Sequence, residues 1–436
     1  MKLLLVIATV CVVTYAGKVD PSLQIAVENG VTDAILELPQ IVGQIENNPA
    51  LQSLSGAGKV SALVATLQGL TSAAQAPLVT VAKSLDLETE QYWASNIILV
   101  KGLTLEKLLT LANTPGDFTL REQHVVSINS NLRAGRDLSI LQNPQWGVAK
   151  IRAPEAWSIT DGAGAVVGFM DSGVNLAHEA LTTGYAGAWL DPYYNTADPT
   201  DQNGFGSHTA GVVVGRTNGI GVAPGAQWVA CRGLNHQGSG TEAALVTCGQ
   251  FMMTANPKPN VVSNGWGGGS GSTWFNPVIT GWRNAGIIPV FGVGNSGPNC
   301  GTIGSPGDNA NVVGVAASTD TDAIATFASR GPGAGGLLKP DFAAPGSNTL
   351  SAGTGSNNYV TMSGNGAAPH TAGAFALIIA AHPTWGFNEA YNALAANAVH
   401  PPLADADKNC GLPTPNDFPN YVYGHGRIDV AAALGL

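Results

Sequence analysis

Apolar residues fall into two textures along the chain, with the change at about Asp137. In the first part, helical spacings alternate with short strand-like runs. The stretch around Val60 to Leu70 is amphipathic. Residues 94–100 read as a strand and lead into Leu105, Leu108, Leu109 and Ala112 at i, i+3, i+4 and i+7. That spacing puts one apolar stripe on a short helix. Asn113-Thr114-Pro115-Gly116 ends it with turn chemistry, and residues 125–128 read as a further strand. The basic, polar stretch 131–136 predicts a linker and a processing site near Arg133 or Arg136. From Trp146 onward, short continuous apolar runs take over, at 165–170, 229–231, 261–263 and 287–293. Such runs joined by helical crossovers predict an α/β fold, a parallel sheet covered by helices on both faces. The mixed first part predicts a small α/β domain in front of it.

Composition narrows the class. Charged residues make up 11% and hydrophobic ones 44%, so the chain buries a large core and is not disordered. Nineteen basic residues against twenty-nine acidic ones give −10, which excludes nucleic-acid binding by phosphate neutralisation. Lys2, an apolar run over 3–13 and small residues at Thr14 and Ala16 predict a signal peptide over residues 1–16. The run is shorter than the roughly 20 residues a bilayer requires, so a secreted protein without a membrane anchor is expected. Cys11 falls in that leader. Cys231, Cys248, Cys300 and Cys410 remain, which predicts two disulfides with three connectivities open. Their spacing lacks the paired short gaps of a zinc site.

Candidate chemistry gathers where buried strands end, the place parallel sheets present functional groups. One run delivers Asp171 within Asp171-Ser172-Gly173. A second stretch, 203–211, sets His208 among small residues. A third, 362–373, is a Gly-rich loop leading into a small-residue helix and carries Ser363 and Asn365. In this order the three stretches resemble the motifs of the subtilisin-like serine peptidases, the subtilases. Gly221-Val222-Ala223-Pro224-Gly225, Phe327-Ala328-Ser329-Arg330-Gly331-Pro332, Lys339-Pro340-Asp341 and Gly424-His425-Gly426-Arg427 extend the likeness. Trp146-Gly147-Val148 and residues 300–308 are most similar to the bacillopeptidase F branch.

The resemblance implies a subtilisin-like domain over 138–436, preceded by a prodomain and linker over 17–137 that acts as inhibitor and chaperone. It implies Asp171 orienting His208 as general base, and Asn295 as side-chain donor of the oxyanion hole. It implies Gly265, Trp266 and Gly267 as the edge and pocket wall that bind an extended peptide or protein substrate, or a protease inhibitor. Calcium is a family-level expectation only, with no other cofactor and no metal ligand assigned, and the molecule is expected to be monomeric.

One departure bears on activity. The family motif Ser-Gly-Thr-Ser-Met-Ala-Ala-Pro-His reads here as Ser363-Gly364-Asn365-Gly366-Ala367-Ala368-Pro369-His370, one residue shorter. Anchored on the helix, Asn365 stands in the nucleophile position, and an amide has no hydroxyl to deprotonate. The expectation is a catalytically impaired pseudoprotease that keeps its prodomain along the Gly265–Gly267 edge. The alternative is an active secreted endopeptidase, with Ser363 as nucleophile or with a sequence error at this motif.

Overall fold

The computed structural model describes residues 16–46, 48–128, 131–132, 143–364, 366–410 and 417–436. The expected leader, but for Ala16, falls outside them, as do Arg133, Arg136 and Asn365. Two compact units are present. One comprises residues up to Ile41 together with Leu67–Gln123, the other Val42–Thr66 together with His124–Leu436.

The smaller unit is a five-stranded sheet in the order Lys18–Val19, Thr119–Arg121, Thr32–Glu37, Ile97–Leu103, Glu88–Tyr92. The first pair is parallel and the rest antiparallel. Helix Pro21–Glu28 starts where the Asp20 carboxylate accepts the Ser22 N–H and Pro21 fixes the first turn. The predicted 94–100 strand begins only at Ile97, because Asn96 turns the chain with φ 32°. Helix Leu105–Ala112 forms as the spacing predicts, capped by Thr104, yet it faces differently. Leu108 and Leu111 are buried, while Leu109 is 53% exposed and Leu105 also faces outward. One narrow ridge of this short helix is buried, with helix Pro21–Glu28 packed against it, not the whole predicted stripe.

The larger unit carries a seven-stranded sheet ordered Phe342–Pro345, Val313–Ser318, Ile288–Gly292, Val261–Asn264, Val166–Asp171, Gln227–Arg232, Tyr185–Leu190. Every neighbouring pair is parallel. Four of these strands are the apolar runs read from the sequence. Helices Phe205–Val214 and Ala367–Ala381 pack together and against this sheet, and Glu242–Thr254 and Asn276–Asn284 form a second packed pair. Ala367–Ala381 is buried over its first thirteen residues, which its lack of a polar face requires. Its small side chains let the backbone lie close to the sheet.

Disulfides join Cys231 to Cys248 and Cys300 to Cys410, one of the three open connectivities. The first ties strand Gln227–Arg232 to helix Glu242–Thr254, bracketing the short strand Ser239–Thr241. Among the described residues no helix is long and apolar enough to cross a membrane.

Candidate active site

Asp171 ends the Val166–Asp171 strand and is buried. Its neighbours in the sheet, Val261–Asn264 and then Ile288–Gly292, deliver Gly265 and the loop holding Asn295 to the same carboxyl edge. Topology therefore gathers Asp171, Gly265 and Asn295 at one rim. Asn295 follows Gly294, whose φ of +103° is a conformation that favours glycine.

The loop around Asp171 is held by buried polar groups that no motif marked. Asp201 accepts the Ser172 hydroxyl and the Asn203 and Gly204 N–H groups on Oδ1, and the Ser207 N–H and hydroxyl on Oδ2. It thereby caps helix Phe205–Val214 and ties it to the Asp171 loop. Arg232, beside Asp171 in register, is fully buried. Its guanidinium pairs with Asp191 at 3.0 Å and donates to the carbonyls of Ser172 and Thr200. Ser172 lies 29 residues from Asp201 and 60 from Arg232, so these two ties to the Asp171 loop show only in three dimensions.

The expected Asp171–His208 pair does not form. His208 Nε2 donates to the Thr349 carbonyl at 2.8 Å, deep in the core. Burial lowers its pKa to about 4, so the ring is neutral. Asp171 instead accepts the Ser172 N–H at 2.8 Å and the Thr209 hydroxyl at 3.4 Å. The ring beside its carboxylate is Phe205. A Cβ on Gly265 would lie 2.4 Å from Phe205 Cε1 and 2.9 Å from Asp171 Oδ2, so phenyl and carboxylate converge on one spot. This also explains why only glycine fits at 265. Residues 205 and 208 are nearly one helical turn apart, and of the two it is the phenyl, not the imidazole, that lies against the carboxylate. The available signal was that spacing, together with the Asp201 cap, which starts the helix at Phe205.

Burial without a cationic partner raises the Asp171 pKa well above the usual carboxylate range. Since the folded state then holds the proton more tightly, Asp171 costs stability as pH rises through its folded pKa. Asp171→Asn keeps an acceptor for the Ser172 N–H and removes that cost. We expect a higher urea midpoint at pH 7–8, worth roughly 1–3 kcal/mol, shrinking toward zero near pH 4. In a molecule that needed the carboxylate to orient a base, the same change would abolish activity.

Ser363 is the second displaced candidate. Its hydroxyl accepts the Asn348 N–H at 2.8 Å and donates to Asn348 Oδ1 at 3.2 Å, with no imidazole on it. Trp266 is fully buried among Trp274, Phe275 and Phe291, so it is part of an aromatic core, not an exposed pocket wall. Gly267 pairs with the chain itself. It bridges Ser127 in antiparallel fashion, while strand Val125–Ser127 pairs antiparallel with Ser239–Thr241. Farther on, Asn131–Leu132 pairs with strand Tyr359–Ser363, leading to the Gly-rich loop. Residues 125–127 and 131–132 are thus strand-paired with segments that carry Gly267 and Ser363.

Among the described residues no three His, Cys, Asp or Glu side chains converge to hold a metal. The buried carboxylates Asp191 and Asp201 spend their oxygens on N–H groups, hydroxyls and, for Asp191, Arg232, which does not fit a calcium cage.

A family model described as the subtilase family matches residues 162–426. Bacillopeptidase F of Bacillus subtilis (strain 168) is 32% identical over 337 residues, 69% of this chain and 23% of that protein. Subtilisin DY of Bacillus licheniformis is 33% identical over 300 residues, covering 67% of this chain and 99% of its own. Thermitase of Thermoactinomyces vulgaris is 34% identical over 239 residues, 54% of this chain and 81% of that one. The chain thus spans less than a quarter of bacillopeptidase F but nearly all of subtilisin DY.

Proposed function

This chain belongs to the subtilase family, and from that premise we propose that it is a secreted pseudoprotease whose groove binds an extended peptide strand without cutting it. The observation that carries the reading is Phe205 against the Asp171 carboxylate. Serine-type acyl transfer needs a base within hydrogen-bond reach of the nucleophile, oriented by the acid. A phenyl ring offers neither lone pair nor N–H. The one-residue-short motif with Asn365 removes the nucleophile as well, so two parts of the triad are missing independently. Asn295 keeps its place in the motif and supports a groove that still accommodates a carbonyl.

The resting occupant is the chain's own segment from His124 to Ile128, and residues 17–137 stay attached as a prodomain. Backbone pairing on two sides gives the affinity, as in other strand additions. Secretion is supported by the leader-like residues 1–16 and by two disulfides, which persist in oxidising compartments. The test is a fluorophosphonate probe on the purified secreted chain. No covalent label and no hydrolysis of an unfolded protein substrate are expected. A label on Ser363 would reinstate an active endopeptidase.

A further inference from the structure

The segment in the groove is bound beyond the part that pairs with Gly267. His124 N–H donates to Glu242 Oε2 at 3.1 Å, and Glu242 N–H donates to the His124 carbonyl at 2.8 Å. Glu242 is fully buried and opens the thirteen-residue helix Glu242–Thr254. The His124 ring stacks on Trp274, with centroids 5.6 Å apart and planes 15° apart. Trp274 in turn rests on Trp266 and Phe275, which fix its plane.

Strand alternation puts residues 124, 126 and 128 on one face. Val126 is buried, Ile128 Cδ1 lies 2.9 Å from where a Gly238 Cβ would be, and Val125 is 63% exposed. Val126 and Ile128 therefore face the larger unit, while His124 stays exposed and is held by its stack on Trp274.

We propose that Trp274 and Glu242 form a distal subsite that selects a ring-bearing residue three positions before the one paired with Gly267. The ligand class is an extended peptide of the pattern ring–x–aliphatic–x–aliphatic, met in this chain by His124, Val126 and Ile128. Glu242 clamps the backbone whatever the side chain, and Trp274 supplies the selectivity, since a flat ring covers its face where an aliphatic side chain covers less. This inference rests on the peptide-binding reading above.

The test is amide hydrogen exchange of the peptide spanning residues 124–132 in the intact chain. Protection is expected in the unmodified protein. His124→Ala and Trp274→Leu each speed exchange roughly three- to tenfold. The double variant is no faster than the faster single one, because both remove one contact. His124→Tyr keeps the original rate, and Val125→Ala, on the exposed face, changes nothing. A His124→Ala rate equal to the original, or effects that multiply in the double variant, overturns the subsite. The His124 arm stands without Trp274→Leu should that variant fold poorly. If residues 124–132 show no protection in the unmodified chain, the peptide-holding reading itself falls. A protected segment indifferent to His124 sinks only the distal subsite.

Discussion

Restoring the Ser motif alone leaves this protein inactive, whereas restoring it together with Phe205→His produces fluorophosphonate labelling and peptide hydrolysis. The motif is rebuilt by replacing Asn365-Gly366 with Thr-Ser-Met, which returns the missing residue ahead of helix Ala367–Ala381. A serine placed there faces no base, because His208 is buried with its Nε2 committed to the Thr349 carbonyl. Phe205→His puts an imidazole against the Asp171 carboxylate, which orients it and stabilises its cation. In subtilisin, a relative, loss of serine or histidine alone costs about as much as loss of the whole triad, around 10⁶ in turnover. Single restorations should therefore stay at background and the double one should rise by several orders of magnitude. Activity in the Ser-only rebuild would mean that His208 or another group serves as base, and the assignment of position 205 would fail.

Acidification from about pH 6.5 toward 4 destabilises the larger unit. His208 and His370 are both fully buried and neutral, their pKa values lowered to about 4 chiefly by burial. In the unfolded chain each returns to about 6.5. Between those limits the unfolded state binds more protons, so stability is complete above about pH 6.5 and falls as pH drops toward 4. Each group alone costs on the order of 3 kcal/mol by pH 4 at roughly 1.4 kcal/mol per unit, and because His208 is one cause of the His370 shift the two do not simply add. Either cost is a large fraction of the stability of an ordinary domain. His178 and His425, also lowered by burial, add in the same direction. Asp171 opposes the trend, since its raised pKa favours the folded state as pH falls. Asp171→Asn should therefore make the acid loss steeper. Urea midpoints at pH 7, 6, 5 and 4 for both proteins provide the check. A flat profile would mean that water reaches the two imidazoles.

The segment in the groove also bears on how the two functional readings differ. An active relative is expected to release its N-terminal part after cutting it. Here strand Val125–Ser127 is held between Ser239–Thr241 and Gly267, and nothing in the proposed site cuts the chain beyond it. A ligand from outside would compete with a tethered strand at high effective concentration. On the proposed reading, an outside ligand must match the positions held by His124, Val126 and Ile128 at least as well as they do.

The sequence by itself determined the class of fold and the family, and it pointed to the carboxyl edge of the sheet as the candidate site. Continuous apolar runs such as 165–170 and 287–293 admit a buried parallel strand and little else, and the motif order around Asp171 and the Gly-rich loop ties them to the subtilases. Burial of apolar surface is local enough in pattern to be read along one dimension. Other matters were decided only by tertiary structure. Which of two positions one helical turn apart meets Asp171 depends on where helix Phe205–Val214 starts, and on the tie that Asp201 makes between that helix and Ser172, 29 residues away. Whether Trp266 lines a pocket or a core depends on Phe275 and Phe291. That the strand at 125–128 belongs with the larger unit depends on Gly267 and the Ser239–Thr241 strand, more than a hundred residues away. Side-chain chemistry at a site is a matter of ångströms between residues remote in sequence, and such distances exist only once the chain has packed.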